Sequence, residues 1–184
     1  MSDSPKTPIV LIVGPSGVGK SFLGRAIAKD LDFLDIEIDQ WPLGDGIDLE
    51  GLRKEWDSFC RMGQADALTT KIRDRVRAAG KRGAALSLPG SLVPSAEMIR
   101  GAESEAATFV VLYGTAAECL SAFLEREQAT GRGLDEDHWI GNNQSSYIAL
   151  SRELLGPYRL LAFVGGGRRS RGELVADIQA RIVK

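Results

Sequence analysis

The chain has 184 residues, of which 43% are hydrophobic and 26% charged, and its formal net charge at pH 7 is −2. A chain of this size can bury a core without disulfides or a structural metal, and its balanced charge excludes the electrostatic footprint of a nucleic-acid or anionic-membrane binder. Residues 1–8 are polar, and no stretch is long enough to span a bilayer. We therefore expect one cytoplasmic domain over residues 1–184, with neither nucleic acid nor membrane as a partner.

The first predicted elements flank a glycine-rich loop. The apolar run Ile9–Val13 has the composition of a buried parallel strand. Residues 22–31 repeat apolar side chains at helical spacing. Between them lies a complete G-x-x-x-x-G-K-[ST] phosphate-binding motif, formed by Gly14, Pro15, Ser16, Gly17, Val18, Gly19, Lys20 and Ser21.

This motif predicts a nucleotide site. Glycines allow the backbone to wrap around a phosphate with its N–H groups pointing inward, and the following helix adds positive charge at its N-terminus. Lys20 can then reach the β- and γ-phosphates, and the Ser21 hydroxyl can ligate Mg²⁺. We therefore expect ATP and Mg²⁺ as cofactors, with Phe22 completing the nucleotide-binding segment that begins at Gly14.

Further strands and helices alternate along the chain. Strands are predicted at 33–38, 84–88, 108–113 and 160–164, and helices from Asp48 to about residue 62, at 65–79, after Ser95, after a capping box at 115–118, at 143–155 and after a second box at 170–173. Alternation of this kind predicts parallel strands with helices on both faces. The expected fold is three-layer α/β, with a central five-stranded parallel sheet, and its ligands bind at the carboxyl ends of the strands.

Two missing signals narrow the class of nucleotide protein. The only asparagines are Asn142 and Asn143, followed by glutamine, so the N-K-x-D segment of a GTPase is absent. The strand at 84–88 runs into Leu88-Pro89-Gly90 without the acidic pair that is usual in motor ATPases. A small-molecule kinase is the class that remains, and a regulatory module with slow ATPase activity is the alternative from another class.

With these motifs in order, the chain resembles the shikimate kinase group of small P-loop kinases over nearly its whole length. The similarity lies in the phosphate loop with its first helix, the acid-x-acid pair after the second strand, the serine and glycine near residue 90, a lid with two arginines, and a later arginine, proline and tyrosine. The resemblance implies a P-loop kinase fold with a short lid over about residues 128–139. It also implies that Gly90 and Arg152 contact the acceptor.

The same comparison shows departures in the acceptor site. The triple glycine of the group is Pro89-Gly90-Ser91 here, and Leu68 stands where the group has a carboxylate-binding arginine. Leucine cannot donate a bidentate hydrogen bond to a carboxylate. We therefore expect shikimate to be a poor acceptor.

Three acids around the end of the second strand are candidates for the chemistry at the acceptor. Asp39 is predicted to orient the acceptor hydroxyl and take its proton, the alternative being a helix cap or surface acid. Glu37 is predicted to bind the acceptor and a water on Mg²⁺, with an ordinary strand residue as the alternative. Asp35 alternates with both on one face, so a shift of two residues reassigns these roles.

Three arginines are further candidates. Arg132 lies between two glycines in the polar loop 128–137, which predicts a mobile lid that brings a cation to the transferring phosphoryl group. Arg126 is predicted to contact the nucleotide, or else to complement the dipole at a helix end. Arg61 is an acceptor candidate, with a solvated helix arginine as the alternative.

Together these residues predict an ATP-dependent phosphotransferase that acts on a hydroxyl group of a small polar metabolite. The catalytic residues would be Lys20, Asp39 and Arg132. A gluconate- or nucleoside-type kinase of the same fold is an alternative, and a monomer or a homodimer suits the chain equally.

Overall fold

The computed structural model describes residues 6–38 and 50–182. Its main sheet has five parallel strands in the spatial order β2-β3-β1-β4-β5. They are β1 Ile9–Val13, β2 Phe33–Glu37, β3 Gly83–Ser87, β4 Ala107–Tyr113 and β5 Arg159–Leu161. Every residue of β1 is buried, as expected for a central strand covered on both faces.

Helices cover both faces of this sheet. They are α1 Lys20–Leu31, α2 Glu50–Met62, α3 Asp66–Ala78, α4 Ala96–Ser104, α5 Ala116–Thr130, α6 Glu136–Leu150 and α7 Arg171–Ile182. Alternate residues of β1 divide the core, since Leu11 packs with α2, α3 and α4, whereas Ile12 packs with α1, α5 and α7. The predicted three-layer α/β architecture with a five-stranded parallel sheet is confirmed. In the described part of the chain, no helix has the length and apolarity needed to cross a membrane.

The predicted helix caps form where the residue types indicate. Ser95 Oγ accepts a hydrogen bond from the Met98 amide at 3.1 Å. Thr115 and Glu118 complete a capping box at the start of α5. The second box forms before α7, where Ser170 N donates to a Glu173 carboxylate oxygen at 2.9 Å.

Half of the polar loop predicted at residues 128–137 is helical, and the predicted helix at 143–155 begins and ends earlier in the chain. Helix α5 continues to Thr130 and stops at Gly131, whose φ of 67° is left-handed. Helix α6 begins at Glu136, because Asp135 Oδ1 accepts a hydrogen bond from the His138 amide at 3.0 Å and caps it. The connection is therefore residues 131–135, shorter than the predicted lid at 128–139.

The last predicted strand, 160–164, is also divided in two. After β5, the chain enters a hairpin in which β6 Phe163–Val164 pairs antiparallel with β7 Gly167–Arg168. The two turn residues, Gly165 and Gly166, have φ values of 60° and 79°. A two-residue hairpin turn of type I′ needs positive φ at both positions, which glycine adopts freely.

Candidate active site

The phosphate loop joins β1 to α1 in a conformation that depends on glycine. Gly17 and Gly19 have φ values of 87° and 103°. A Cβ at Gly17 would collide with the Cys119 carbonyl oxygen, and one at Gly19 with the Arg168 guanidinium. The loop is therefore closely packed at both positions, and a larger residue at either one would require its neighbours to shift.

Lys20 starts α1 and is folded over the loop. Its side chain is buried, with the residue only 8% exposed. The ammonium donates to the Gly14 carbonyl at 2.9 Å and to the Pro15 carbonyl at 3.3 Å. A cation is thereby fixed at the N-terminus of a helix, where an anionic ligand is also favoured by the helix dipole.

A cavity of about 830 Å³ opens in front of the loop. Among the described residues, the part of its lining formed by the loop and the start of α1 consists of Ser16, Gly17, Gly19, Lys20, Ser21 and Phe22. Five cationic side chains line it, namely Lys20, Arg25, Arg126, Arg132 and Arg168, whereas Glu37 is the one acidic residue in this described lining. An excess of cations around helix N–H groups matches a polyphosphate ligand.

Buried polar atoms lie where β2 and β3 end beside the cavity. Glu37 is paired in register with Ser87, which is 1% exposed. Glu37 Oε1 lies 3.5 Å from Arg25 Nη1, but neither it nor Ser87 Oγ has a hydrogen-bond partner among the described residues. Such atoms are costly to bury without a partner. Their position at a strand end in the cavity suits a bound polar ligand or a metal-bound water.

Asp35 precedes Glu37 by two residues, so both side chains lie on the same face of β2. Its Oδ1 is buried without a hydrogen-bond partner among the described residues. Burial, together with the nearby charge of Glu37 and against that of Arg25, raises the pKa of Asp35 to about 6. Asp35 and Ser87 also crowd Gly24, where a Cβ would lie 2.6 Å from Asp35 Oδ1. Asp35 is therefore behind the cavity lining and Glu37 is within it.

The two arginines predicted near the lid meet at one carboxylate. Arg126 Nη2 and Arg132 Nη2 donate to Glu127 Oε1 at 2.8 Å and 2.6 Å. Glu127 is 2% exposed, and Arg126 also lies over the Phe123 ring, 5.2 Å from its centroid. The structure thus brings both arginines to the cavity that contains Lys20, and their contact with Glu127 is one that no sequence motif indicates.

Helix α6 holds the loop from the side. Trp139 Nε1 donates to the Ser16 carbonyl at 2.9 Å, and Asn143 Oδ1 accepts from the Ser16 amide at 2.8 Å. Both backbone groups of Ser16 are therefore fixed by α6. A Cβ on Gly90 would lie 2.8 Å from Ser16 Oγ, which places the chain after β3 against the same residue.

The hairpin supplies a clamp that sequence reasoning missed. Arg168 donates to the carbonyls of Val18 and Gly17 at 3.2 Å and 3.1 Å, and it lies over the Phe163 ring. The one available signal was an arginine directly after a glycine turn, which does not identify a partner 150 residues away.

Several predicted residues either are outside the described part of the chain or do not line the cavity. Asp39 is outside the described residues, as is the predicted cap Asp48. Arg61 is exposed and bonds the Asp57 carbonyl of its own helix. Arg152 is exposed at the start of a short 3₁₀ helix. Neither arginine is among the described residues that line the cavity.

Two other positions considered for the acceptor site, Gly90 and Leu68, are not among the described residues that line the cavity. Gly90 packs on Ser16 and its carbonyl accepts from Ser146 Oγ at 3.0 Å, so its backbone is engaged outside the cavity lining. Leu68 is 1% exposed in the core on the α2–α4 face. Its side chain therefore packs with apolar neighbours and offers no group to an acceptor.

Comparison with known proteins gives matches in structure only. No family model and no curated protein matches the sequence. Among solved structures, a gluconokinase from Sinorhizobium meliloti 1021 is 16% identical with a TM-score of 0.49, covering 98% of this chain and 94% of that one. A shikimate kinase from Acinetobacter baumannii, in complex with shikimate, is 17% identical with a TM-score of 0.49, covering 97% and 94%.

A third match is a deoxyadenosine kinase from M. mycoides, 13% identical with a TM-score of 0.47, covering 95% of this chain and 98% of that one. All three are kinases, and one belongs to the group that the sequence resembles. At this distance, they assign neither an activity nor an acceptor to this chain.

Proposed function

We propose that the protein is an ATP-dependent phosphotransferase with a small polar alcohol as acceptor. The observation that carries the proposal is the cavity itself. It joins the phosphate loop and Lys20 on one side to Arg126 and Arg132 on another, with Glu37 at the strand edge as the one acid among the described residues of the lining. This arrangement provides positive charge around a triphosphate and a polar corner for a second substrate.

In the proposed reaction, an acceptor oxygen bonds to the γ-phosphorus while the bond from that phosphorus to its bridging oxygen breaks. Lys20 and Arg132 stabilise the negative charge of the transferring group. Asp39, two residues after Glu37 in the chain, is proposed to take the hydroxyl proton. Closure of the segment 131–135 over the cavity would exclude water.

The residues present fit Mg²⁺ as well. Ser21 and Glu37 line one cavity, and Glu37 Oε1 has no hydrogen-bond partner among the described residues. Ser21 would hold the ion directly and Glu37 through a water, which is the oxygen chemistry that Mg²⁺ prefers. When bound, the ion supplies further neutralisation of phosphate charge.

The test is ATP turnover with Mg²⁺ against a panel of acceptors that includes shikimate, gluconate, nucleosides and other small polyols. A kinase should hydrolyse ATP slowly and turn it over at least about 100-fold faster with one acceptor present, because a bound hydroxyl replaces adventitious water. Shikimate should not be that acceptor. Because Leu68 stands where the shikimate kinase group has an arginine, shikimate would lack a charge-assisted contact worth roughly 2–5 kcal/mol.

A protein that binds ATP but gains no turnover with any acceptor would instead favour the regulatory alternative. Ordinary kinase kinetics with shikimate would show that another cation supplies the missing contact. Absence of ATP binding would overturn the proposal as a whole.

A further inference from the structure

Glu127 is a buried acid that the proposed reaction does not use. It belongs to the last turn of α5 and is 2% exposed, whereas the side chains of Arg126 and Arg132 are 48% and 51% exposed. Its Oε1 accepts from Arg126 Nε at 3.0 Å, Arg126 Nη2 at 2.8 Å and Arg132 Nη2 at 2.6 Å. One oxygen therefore holds two guanidinium groups at the edge of the cavity.

The geometry of a guanidinium group gives this contact a directional effect. The group is planar, with five N–H donors in a fixed fork, so anchoring one edge sets the direction of the other. Arg126 donates to Glu127 through Nε and Nη2 and Arg132 through Nη2, and Arg132 Nε lies 3.4 Å from Thr130 Oγ1. Within the described residues, Nη1 of both arginines has no hydrogen-bond partner. Both side chains line the cavity.

The negative charge of Glu127 also helps to hold Arg126 and Arg132 next to each other. Two guanidinium groups that share one oxygen would repel each other without the negative charge between them. With that charge in place, the trio keeps a net charge of about +1 facing the cavity. The carboxylate is thus what allows two cations to be held side by side.

We propose that Glu127 is a positioning residue that orients Arg126 and Arg132 as a pair toward the phosphates of bound ATP. This inference rests on the proposed function, since it assumes that a triphosphate occupies the cavity. Glu127 does not touch the substrate and acts through the two arginines. Its removal should therefore impair the transition state more than the binding of ATP.

The experiment measures ATP hydrolysis with Mg²⁺ and no added acceptor, together with the Kd for ATP by calorimetry. Glu127→Gln keeps the shape and removes the charge. We expect kcat to fall about tenfold or more while Kd changes less than about threefold, because the contacts matter most as charge develops. The matched control is Glu125→Gln, an exposed acid on the same helix that bonds Ser121, and it should retain wild-type kcat.

A double-mutant cycle separates positioning from a structural role. In an Arg126→Ala/Arg132→Ala background, Glu127→Gln should cause no further loss of kcat, since its route of action is gone. If the loss of kcat from Glu127→Gln multiplies with the loss from the two arginine substitutions, the proposal is wrong. If Glu127→Gln does not fold, Glu127→Asp gives the same test, because a shortened carboxylate cannot reach both arginines, and wild-type kcat in that variant also overturns it.

Measurements on the wild-type protein distinguish a failure of the proposed function from a failure of the proposed role of Glu127. If wild type neither binds nor hydrolyses ATP, the proposed function fails and this inference fails with it. If wild type does both and Glu127→Gln equals it in kcat and Kd, only the role of Glu127 is wrong.

Discussion

Lys20 concentrates positive charge where the backbone already favours an anion. Its ammonium donates to two loop carbonyls, Gly14 and Pro15, from a buried position. Placed so, the cation needs no large rearrangement to meet a phosphate, which is the advantage of a preorganised site.

Lys20→Ala should therefore lower phosphoryl transfer on the order of 10³-fold or more, as expected when a charged group that acts on the transition state is lost. Circular dichroism should show the fold intact. The control is Lys29→Ala, an exposed lysine in the last turn of the same helix, which should leave turnover unchanged. Near-normal turnover of Lys20→Ala would contradict the kinase assignment.

Asp35 illustrates the opposite situation, a charge that the fold opposes. Burial and the charge of Glu37 raise its pKa from 3.8 to about 6. In the unfolded chain it ionises at the lower value, so folding stability falls as the pH rises from about 4 to about 6. The loss is then complete at neutral pH and amounts to at most about 3 kcal/mol, reduced by the partial exposure of the side chain.

Asp35→Asn should therefore stabilise the protein at pH 8 by roughly 1–3 kcal/mol and have little effect at about pH 3, where the acid is mostly protonated in both states. Urea unfolding at several pH values measures this difference. A gain that is the same at every pH would mean that the charge of Asp35 is not its cause.

The site residues that the sequence predicted belong to one short motif, whereas those that it did not predict contact partners far away along the chain. Lys20 and Ser21 belong to a contiguous motif whose chemistry is local, so the sequence alone indicates them. Asn143 and Arg168 reach Ser16 and Gly17 across 127 and 151 residues. No local pattern encodes such a pairing, because it exists only once the sheet has set the register of distant segments.

At the level of elements, α6 connects the segment 131–135, the proposed lid, to the phosphate loop. The segment 131–135 leads directly into α6, whose first and second turns fix the backbone of Ser16 through Trp139 and Asn143. The sequence predicted most strands and the caps at Ser95, Thr115 and Ser170 correctly, since these depend on neighbouring residues. It placed α6 too late, because Asp135 caps the helix before any apolar periodicity begins.

This connection predicts a selective effect of Asn143→Ala. The substitution leaves the Ser16 amide without its acceptor, which costs roughly 1–3 kcal/mol of stability, and it loosens the loop enough to weaken ATP binding several-fold. The neighbouring Asn142 is exposed and bonds only the His138 carbonyl, so Asn142→Ala is the matched control. Calorimetry measures the Kd for ATP and the Tm of both variants. If both variants have the same Kd and the same Tm, α6 has no role in shaping the loop.

For the whole molecule, the site links parts of the chain that pack on one face of the sheet. The loop follows β1, the paired arginines flank the end of α5, and the clamp comes from the hairpin before α7. A ligand that binds all of them stabilises the folded state as a unit, by about 2.7 kcal/mol at a concentration of 100 Kd.

A non-hydrolysable ATP analogue with Mg²⁺ should therefore raise Tm by a few degrees. Hydrogen exchange should slow in three places together, at the loop 14–21, the segment 131–135 and the hairpin 163–168. Protection confined to the loop would show that the lid segment and the hairpin take no part in binding.

The clamp of Arg168 on the loop also has a consequence for protein synthesis. A ribosome delivers Val18 of the phosphate loop 150 residues before its partner Arg168, at about 5–20 residues per second. Until the hairpin emerges, the Gly17 and Val18 carbonyls lack the side chain that holds them, and β1 lacks the later of its two neighbouring strands for most of that time. A polypeptide truncated before residue 168 therefore lacks this clamp on the phosphate loop.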